Sequence, residues 1–97
     1  MNYVLSKLAD EDLIRIRQFG VYKFGETQAD NYFLAFFEQF KVIAKNPYMY
    51  PSIDYLGKGI RRCVCGVDSI YYRINGKTVE IITLIGRQDL KSKFKKG

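Results

Sequence analysis

The chain has 97 residues, 47% of them hydrophobic and 27% charged, which is enough for one core and too little for two. Sixteen basic residues against ten acidic ones leave a net charge of +6, which suits an acidic partner, either nucleic acid or an acidic protein segment. Histidine is absent, which excludes Ser-His-Asp and Cys-His catalysis, and with two cysteines a Cys/His zinc site cannot be assembled from one chain.

No apolar run approaches the roughly 20 residues that span a bilayer. The opening Met1-Asn2-Tyr3-Val4-Leu5-Ser6-Lys7 lacks the charged-then-apolar plan of a signal peptide, so a cytoplasmic protein is expected. Nothing repeats, and no linker-like run divides the chain. The expectation is therefore one domain over 1–97, with a basic tail from about 90 (Lys91, Lys93, Lys95, Lys96) and no cofactor or metal. Cys63 and Cys65, two apart in a strand-like run, are too badly placed for a disulfide and read as reduced thiols.

In chain order, residues 2–6 read as a short strand with Tyr3 and Leu5 on one face and Val4 on the other. Ser6 is a candidate N-cap for a helix to about Phe24. Asp10, Glu11 and Asp12 then lie near its positive end, and Gly25 fits the stop. Leu13, Ile16, Phe19 and Tyr22 recur at intervals of three as an apolar stripe. A second helix follows, with Thr27 and Asp30 as a capping pair and Asn46-Pro47 as its end. Its face of Ala29, Tyr32, Phe33, Phe36, Phe37, Phe40, Ile43 and Ala44 is core, not a ligand box.

Residues 48–59 read as a loop. Strands follow over about Ile60–Cys65, Ser69–Ile74 and Thr78–Ile85, the first two joined at Gly66-Val67-Asp68. Asn75-Gly76 signals the last hairpin, with positive φ expected at both positions. Ile81 to Ile85 is apolar on both faces, so the last strand should be central, with the first strand beside it. The fold class is α+β in the order β-α-α-β-β-β, a two-helix hairpin on a mainly antiparallel sheet. Tyr71, Arg61, Arg73 and Cys63 compete for the sheet's other face, and the sequence leaves the register open.

That order and several local patterns resemble the RelE/ParE toxin superfamily, its ParE branch in particular, over nearly the whole chain. The likeness rests on Ala9, Asp12-Leu13, Ile16, Phe19 and Phe24-Gly25, then on Gln28-Ala29, Tyr32 and Asn46-Pro47. Its sharpest parts are Gly59-Ile60-Arg61-Arg62-Cys63 with Gly66, Ile70-Tyr71-Tyr72-Arg73, and the closing Ile81-Ile82-Thr83-Leu84-Ile85-Gly86-Arg87-Gln88-Asp89.

The resemblance implies the toxin of a type II toxin–antitoxin pair. ParE-like proteins are held inactive by a ParD-like antitoxin, whose flexible segment wraps the toxin while its folded ribbon-helix-helix part binds operator DNA. They poison DNA gyrase, whereas RelE-like relatives cut messenger RNA on the ribosome. RNA cleavage needs cations on the scissile phosphate and a group that moves a proton. At places where RelE-like nucleases carry such groups, the resemblance puts Ser69, Gln88 and Phe94 of this chain, none of which supplies either function. The expected action is therefore gyrase binding without catalytic residues, with ribosome-dependent RNA cleavage as the alternative. The expected target-binding residues are Arg61, Arg62, Arg73, Arg87 and Asp89.

Overall fold

The structure, a computed structural model, describes residues 1–86. Its elements are β1 (Asn2–Leu5), α1 (Lys7–Phe24), α2 (Glu26–Lys45), β2 (Arg61–Cys65), β3 (Asp68–Asn75) and β4 (Thr78–Gly86). One mixed sheet has the order β1-β4-β3-β2, so β4 is central, as its two-sided apolar run predicts. β1 pairs with β4 in parallel, and the other two pairings are antiparallel.

α1 begins because the Ser6 hydroxyl accepts the Ala9 N–H at 3.0 Å. It ends at Gly25, whose φ of +89° few other residues adopt and whose N–H still bonds to Val21. The same glycine opens α2, with no side-chain cap. The expected Thr27/Asp30 cap is thus not made. Asp30 instead takes both Nε and Nη2 of Arg17 across the helix pair, at 3.0 and 2.7 Å. Gly20 faces Ala29, where an added Cβ would stand 3.2 Å from the alanine methyl, so the two helices approach closely there.

The three-residue stripe on α1 holds only in part. Leu13 is buried and Ile16 packs on the core, but Phe19 and Tyr22 are 58% and 88% exposed. A step of three residues turns 300°, so each repeat drifts about 60° and three repeats reach the opposite side of the helix. The apolar face of α2 steps by three and four and stays true. Phe36, Phe40 and Ile43 are fully buried, and Tyr32, Phe33 and Phe37 pack against them. Burying each phenylalanine contributes on the order of 2–3 kcal/mol.

Below the helices lie Cys63, Ile70, Tyr72, Val79, Ile81 and Leu84. Strict alternation would not put both Ile81 and Leu84 into one core. The register shifts between Tyr71, opposite Thr83, and Tyr72, opposite Ile81, so that β4 gains one residue. This bulge is what lets residues three apart share a face. The β3–β4 turn is Gly76-Lys77 closed by the Asn75–Thr78 pair, one residue later than expected. Gly76 alone has positive φ, the pattern of a II′ turn and not of I′.

Candidate binding surface

The candidate arginines separate by strand alternation. Cys63 lies in the core under α2, where its Sγ is 3.1 Å from Gln39 Nε2, so it does not compete for the sheet's other face, where Tyr71 lies buried. Arg61 shares the helix-side parity of Cys63. Its Nη1 donates to the Tyr50 carbonyl at 2.6 Å, and its guanidinium lies 5.2 Å from the Tyr48 ring centroid. That residue holds the 46–60 loop against the sheet.

Arg62 and Arg73 lie on the face turned away from the helices. Arg62 pairs across the ladder with Tyr71, two residues before Arg73, so the two arginines are diagonal neighbours. Arg62 Nε donates to Ser69 Oγ at 3.0 Å, and Arg73 Nε donates to Glu80 Oε1 at 2.9 Å. Exposed Val64 and Val4 lie on the same face at its two edges. Ser69 is therefore a structural acceptor for Arg62. Arg87 and Asp89, with Gln88 and Phe94, lie outside the described residues.

Two buried polar sites fix the helices to the sheet. Asp12 is wholly buried; it accepts from the Thr83 hydroxyl, from the Leu84 N–H at 3.0 Å and from Arg15 Nη1 at 2.9 Å. β1 stops at Leu5, so among the described residues the edge of β4 beyond Ile81 has no strand beside it. Ser6 closes that edge through its N–H to the Ile81 carbonyl and its hydroxyl to the Ile82 carbonyl, and Asp12 closes it further on. In the sequence, the helix dipole alone accounts for Asp12. The missed signal was its spacing, since Ala9, Asp12, Leu13 and Ile16 form one buried face with a carboxylate in it.

The second site is at the β2–β3 turn. The Tyr32 hydroxyl is 2.7 Å from Asp68 Oδ2 and 3.0 Å from the Cys65 carbonyl, and it accepts the Val67 N–H at 3.2 Å. Burial first, then the Asp68 carboxylate, pushes the Tyr32 phenol well above its usual pKa. Burial also pushes the Tyr72 phenol, whose hydroxyl donates to the Pro47 carbonyl at 2.6 Å, up to about 12. Burial and the nearby Cys63 raise Tyr50 too. The Cys65 thiol is pushed up to about 11, by burial first and then by Cys63 and Asp68. Among the described residues there is no group of three or more His, Cys, Asp or Glu able to hold a metal.

A four-stranded mixed sheet covered on one face by an αα-hairpin, with arginines on the other face, defines a small α+β class. The chain matches the profile of the ParE toxin of type II toxin-antitoxin system, parDE, over residues 3–90. It is 34% identical over 83 residues to Toxin ParE1 of Caulobacter vibrioides, covering 86% of this chain and 85% of that protein. A solved structure of the chromosomal ParDE TA system from P. aeruginosa superposes with a TM-score of 0.79 at 20% identity, covering 89% of this chain and 95% of that one. The protein belongs to the ParE toxin family of type II toxin–antitoxin systems. No helix among the described residues is long and apolar enough to cross a membrane.

Proposed function

We propose that this toxin arrests growth by binding DNA gyrase in the cytoplasm, without catalysis of its own, and that a ParD-like antitoxin neutralises it. The observation that carries the reading is the family match over residues 3–90. The antitoxin binds operator DNA through a ribbon-helix-helix part, and the toxin reaches DNA only through it. Exposed Phe19, Tyr22 and Phe24 on α1 and Leu34 on α2 support an antitoxin segment that orders along the helices as it binds.

The gyrase-facing surface is built around Arg62 and Arg73, on the face of the sheet turned away from the helices, and includes Arg87 and Asp89. Arginine forms charge-assisted, geometrically defined contacts that are costly to lose once desolvated at an interface. A binder is also favoured over a nuclease by the raised phenols of Tyr32, Tyr50 and Tyr72, which are poorer proton carriers near neutral pH than a free tyrosine.

Purified toxin is expected to inhibit gyrase supercoiling or to trap its cleaved-DNA complex, while messenger on translating ribosomes stays intact. Codon-specific cuts in ribosome-bound messenger, with gyrase untouched, would overturn the proposal and establish ribosome-dependent RNA cleavage instead.

A further inference from the structure

Among the described residues the sheet has three stretches of edge that β pairing leaves open, and two of them are closed. The edge of β4 beyond Ile81 is closed by Ser6 and Asp12. The outer edge of β2 is shielded by the loop before it. Ser52 bridges to Arg61, Arg62 N–H donates to the Pro51 carbonyl at 3.2 Å, and Ile53 N–H donates to the Ile60 carbonyl at 2.7 Å. The outer edge of β1 has no such cover among the described residues. Ser6 N–H bonds to the Ile81 carbonyl, so the parity of a parallel pair turns the peptide groups of Val4 toward β4 and those of Tyr3 and Leu5 outward. Natural proteins rarely leave such an edge bare without a charge or a partner.

Beside that edge runs a groove of about 550 Å³, lined by Tyr3 and Val4 on the strand and by Lys41, Ala44 and Lys45 on α2. Lys41 and Lys45 are four residues apart and so project on one side of the helix, one turn from each other. Lys41 meets Glu38 at 3.2 Å, but both side chains are mostly exposed, a pairing that competes weakly with a desolvated partner.

We infer that the outer edge of β1, with the last two turns of α2, is the docking site for an extended acidic segment of the antitoxin, added to the sheet as a fifth strand. This rests on the antitoxin reading above and names a surface for it. Main-chain bonds to Tyr3 and Leu5 give the strand its affinity, and alternate side chains turn toward α2, so carboxylates at every second position meet Lys41 and Lys45. Charge decides between occupants. A second copy of this chain would bring another +6 protein, with the same two lysines, against this edge.

The test uses the full-length toxin, free and in complex with its co-expressed antitoxin. Amide exchange should slow at Tyr3 and Leu5 in the complex, and Lys41→Glu/Lys45→Glu should weaken the antitoxin roughly tenfold or more, with a flatter salt dependence. Lys58→Glu, a like change on the distant loop, should leave affinity within about threefold. Native affinity in the double variant, with Tyr3 and Leu5 exchanging as in free toxin, would overturn the docking site and leave the antitoxin reading standing. Equal weakening by Lys58→Glu would overturn it too, because charge alone would then explain the effect. Protection that rises with toxin concentration in the absence of antitoxin would assign the edge to a second copy. Absence of any complex would remove the antitoxin reading itself.

Discussion

Tyr32 on α2 reaches Asp68 at the start of β3, 2.7 Å from hydroxyl to carboxylate oxygen, and this contact pins the β2–β3 turn under the second helix. The turn can sit there only because residue 66 is glycine. Its φ is +62°, and a Cβ would fall 2.5 Å from the Tyr32 ring. Gly66→Ala therefore combines left-handed strain with a clash and should cost about 2–4 kcal/mol. Tyr32→Phe removes the partner of a largely buried carboxylate and should cost about 1–3 kcal/mol. Urea unfolding checks both, and a midpoint unchanged in either variant would refute the pinning.

Asp12→Ala should be among the more damaging single changes on α1. It removes the acceptor for the Thr83 hydroxyl and the Leu84 N–H, so about 2–4 kcal/mol is expected, with Asp12→Asn milder because it keeps one acceptor oxygen. The urea midpoint measures the loss, and faster amide exchange at Leu84 in Asp12→Ala would locate it at the β4 edge.

Alkaline pH should unfold the protein early. Cys65 at about 11 and Tyr72 at about 12 lie above the unfolded values of about 9 and 10, so the fold favours their neutral forms. Their contribution is complete below those unfolded values and is lost as pH rises through the folded ones. Thermal midpoints should fall from about pH 9 and steeply between 10 and 12. Tyr72→Phe should flatten the upper part of that decline, and an unchanged slope would contradict the assignment.

The same shift makes Cys65 a poor nucleophile. A pKa of about 11 leaves roughly a hundredfold less thiolate near neutral pH than an ordinary exposed thiol has. Alkylation by iodoacetamide in the native state should be slower by about that factor than in urea. Cys65→Ser should leave toxicity within about threefold, since the residue is only half-buried and lies in no metal or redox cluster among the described residues.

Arg73 and Glu80 separate surface function from stability. Their ion pair is solvent-exposed, so Arg73→Ala and Glu80→Ala should each move stability by less than about 1 kcal/mol. Arg73→Ala should raise the toxin concentration needed to inhibit gyrase by roughly tenfold or more, as the gyrase contact proposed above requires. Loss of inhibition in Glu80→Ala but not in Arg73→Ala would move the contact off the arginine.

The element order, the central place of β4 and the buried face of α2 are legible in the sequence because they follow from period and length. What escaped depends on tertiary geometry. The α1 stripe was followed past the point where three-residue steps leave the core. The Thr27/Asp30 pattern was a plausible cap, but Gly25 had already turned the chain and Arg17 claimed Asp30 from the neighbouring helix. The bulge at Ile82 and Thr83 fixes which strand residues face out, and nothing local announces it. Arg61 stands next to Arg62 in sequence, yet one residue of strand parity sends it to the Tyr48–Tyr50 loop and away from Arg62 and Arg73.

The parallel pairing of β1 with β4 also orders events during synthesis. Asn2 to Leu5 leave the ribosome before the rest of the sheet, and their partners, Thr78 to Ile81, come 76 residues later. Until those residues emerge, the first strand has no ladder to join, and Ser6 and Asp12 have no β4 backbone to hold. Helices α1 and α2 form from local contacts meanwhile, and the sheet closes across the longest separation in the fold, a step that chain topology makes slow. The surfaces proposed above for gyrase and the antitoxin therefore do not exist until β4 has emerged, and a partner made in the same cell has that interval in which to be ready.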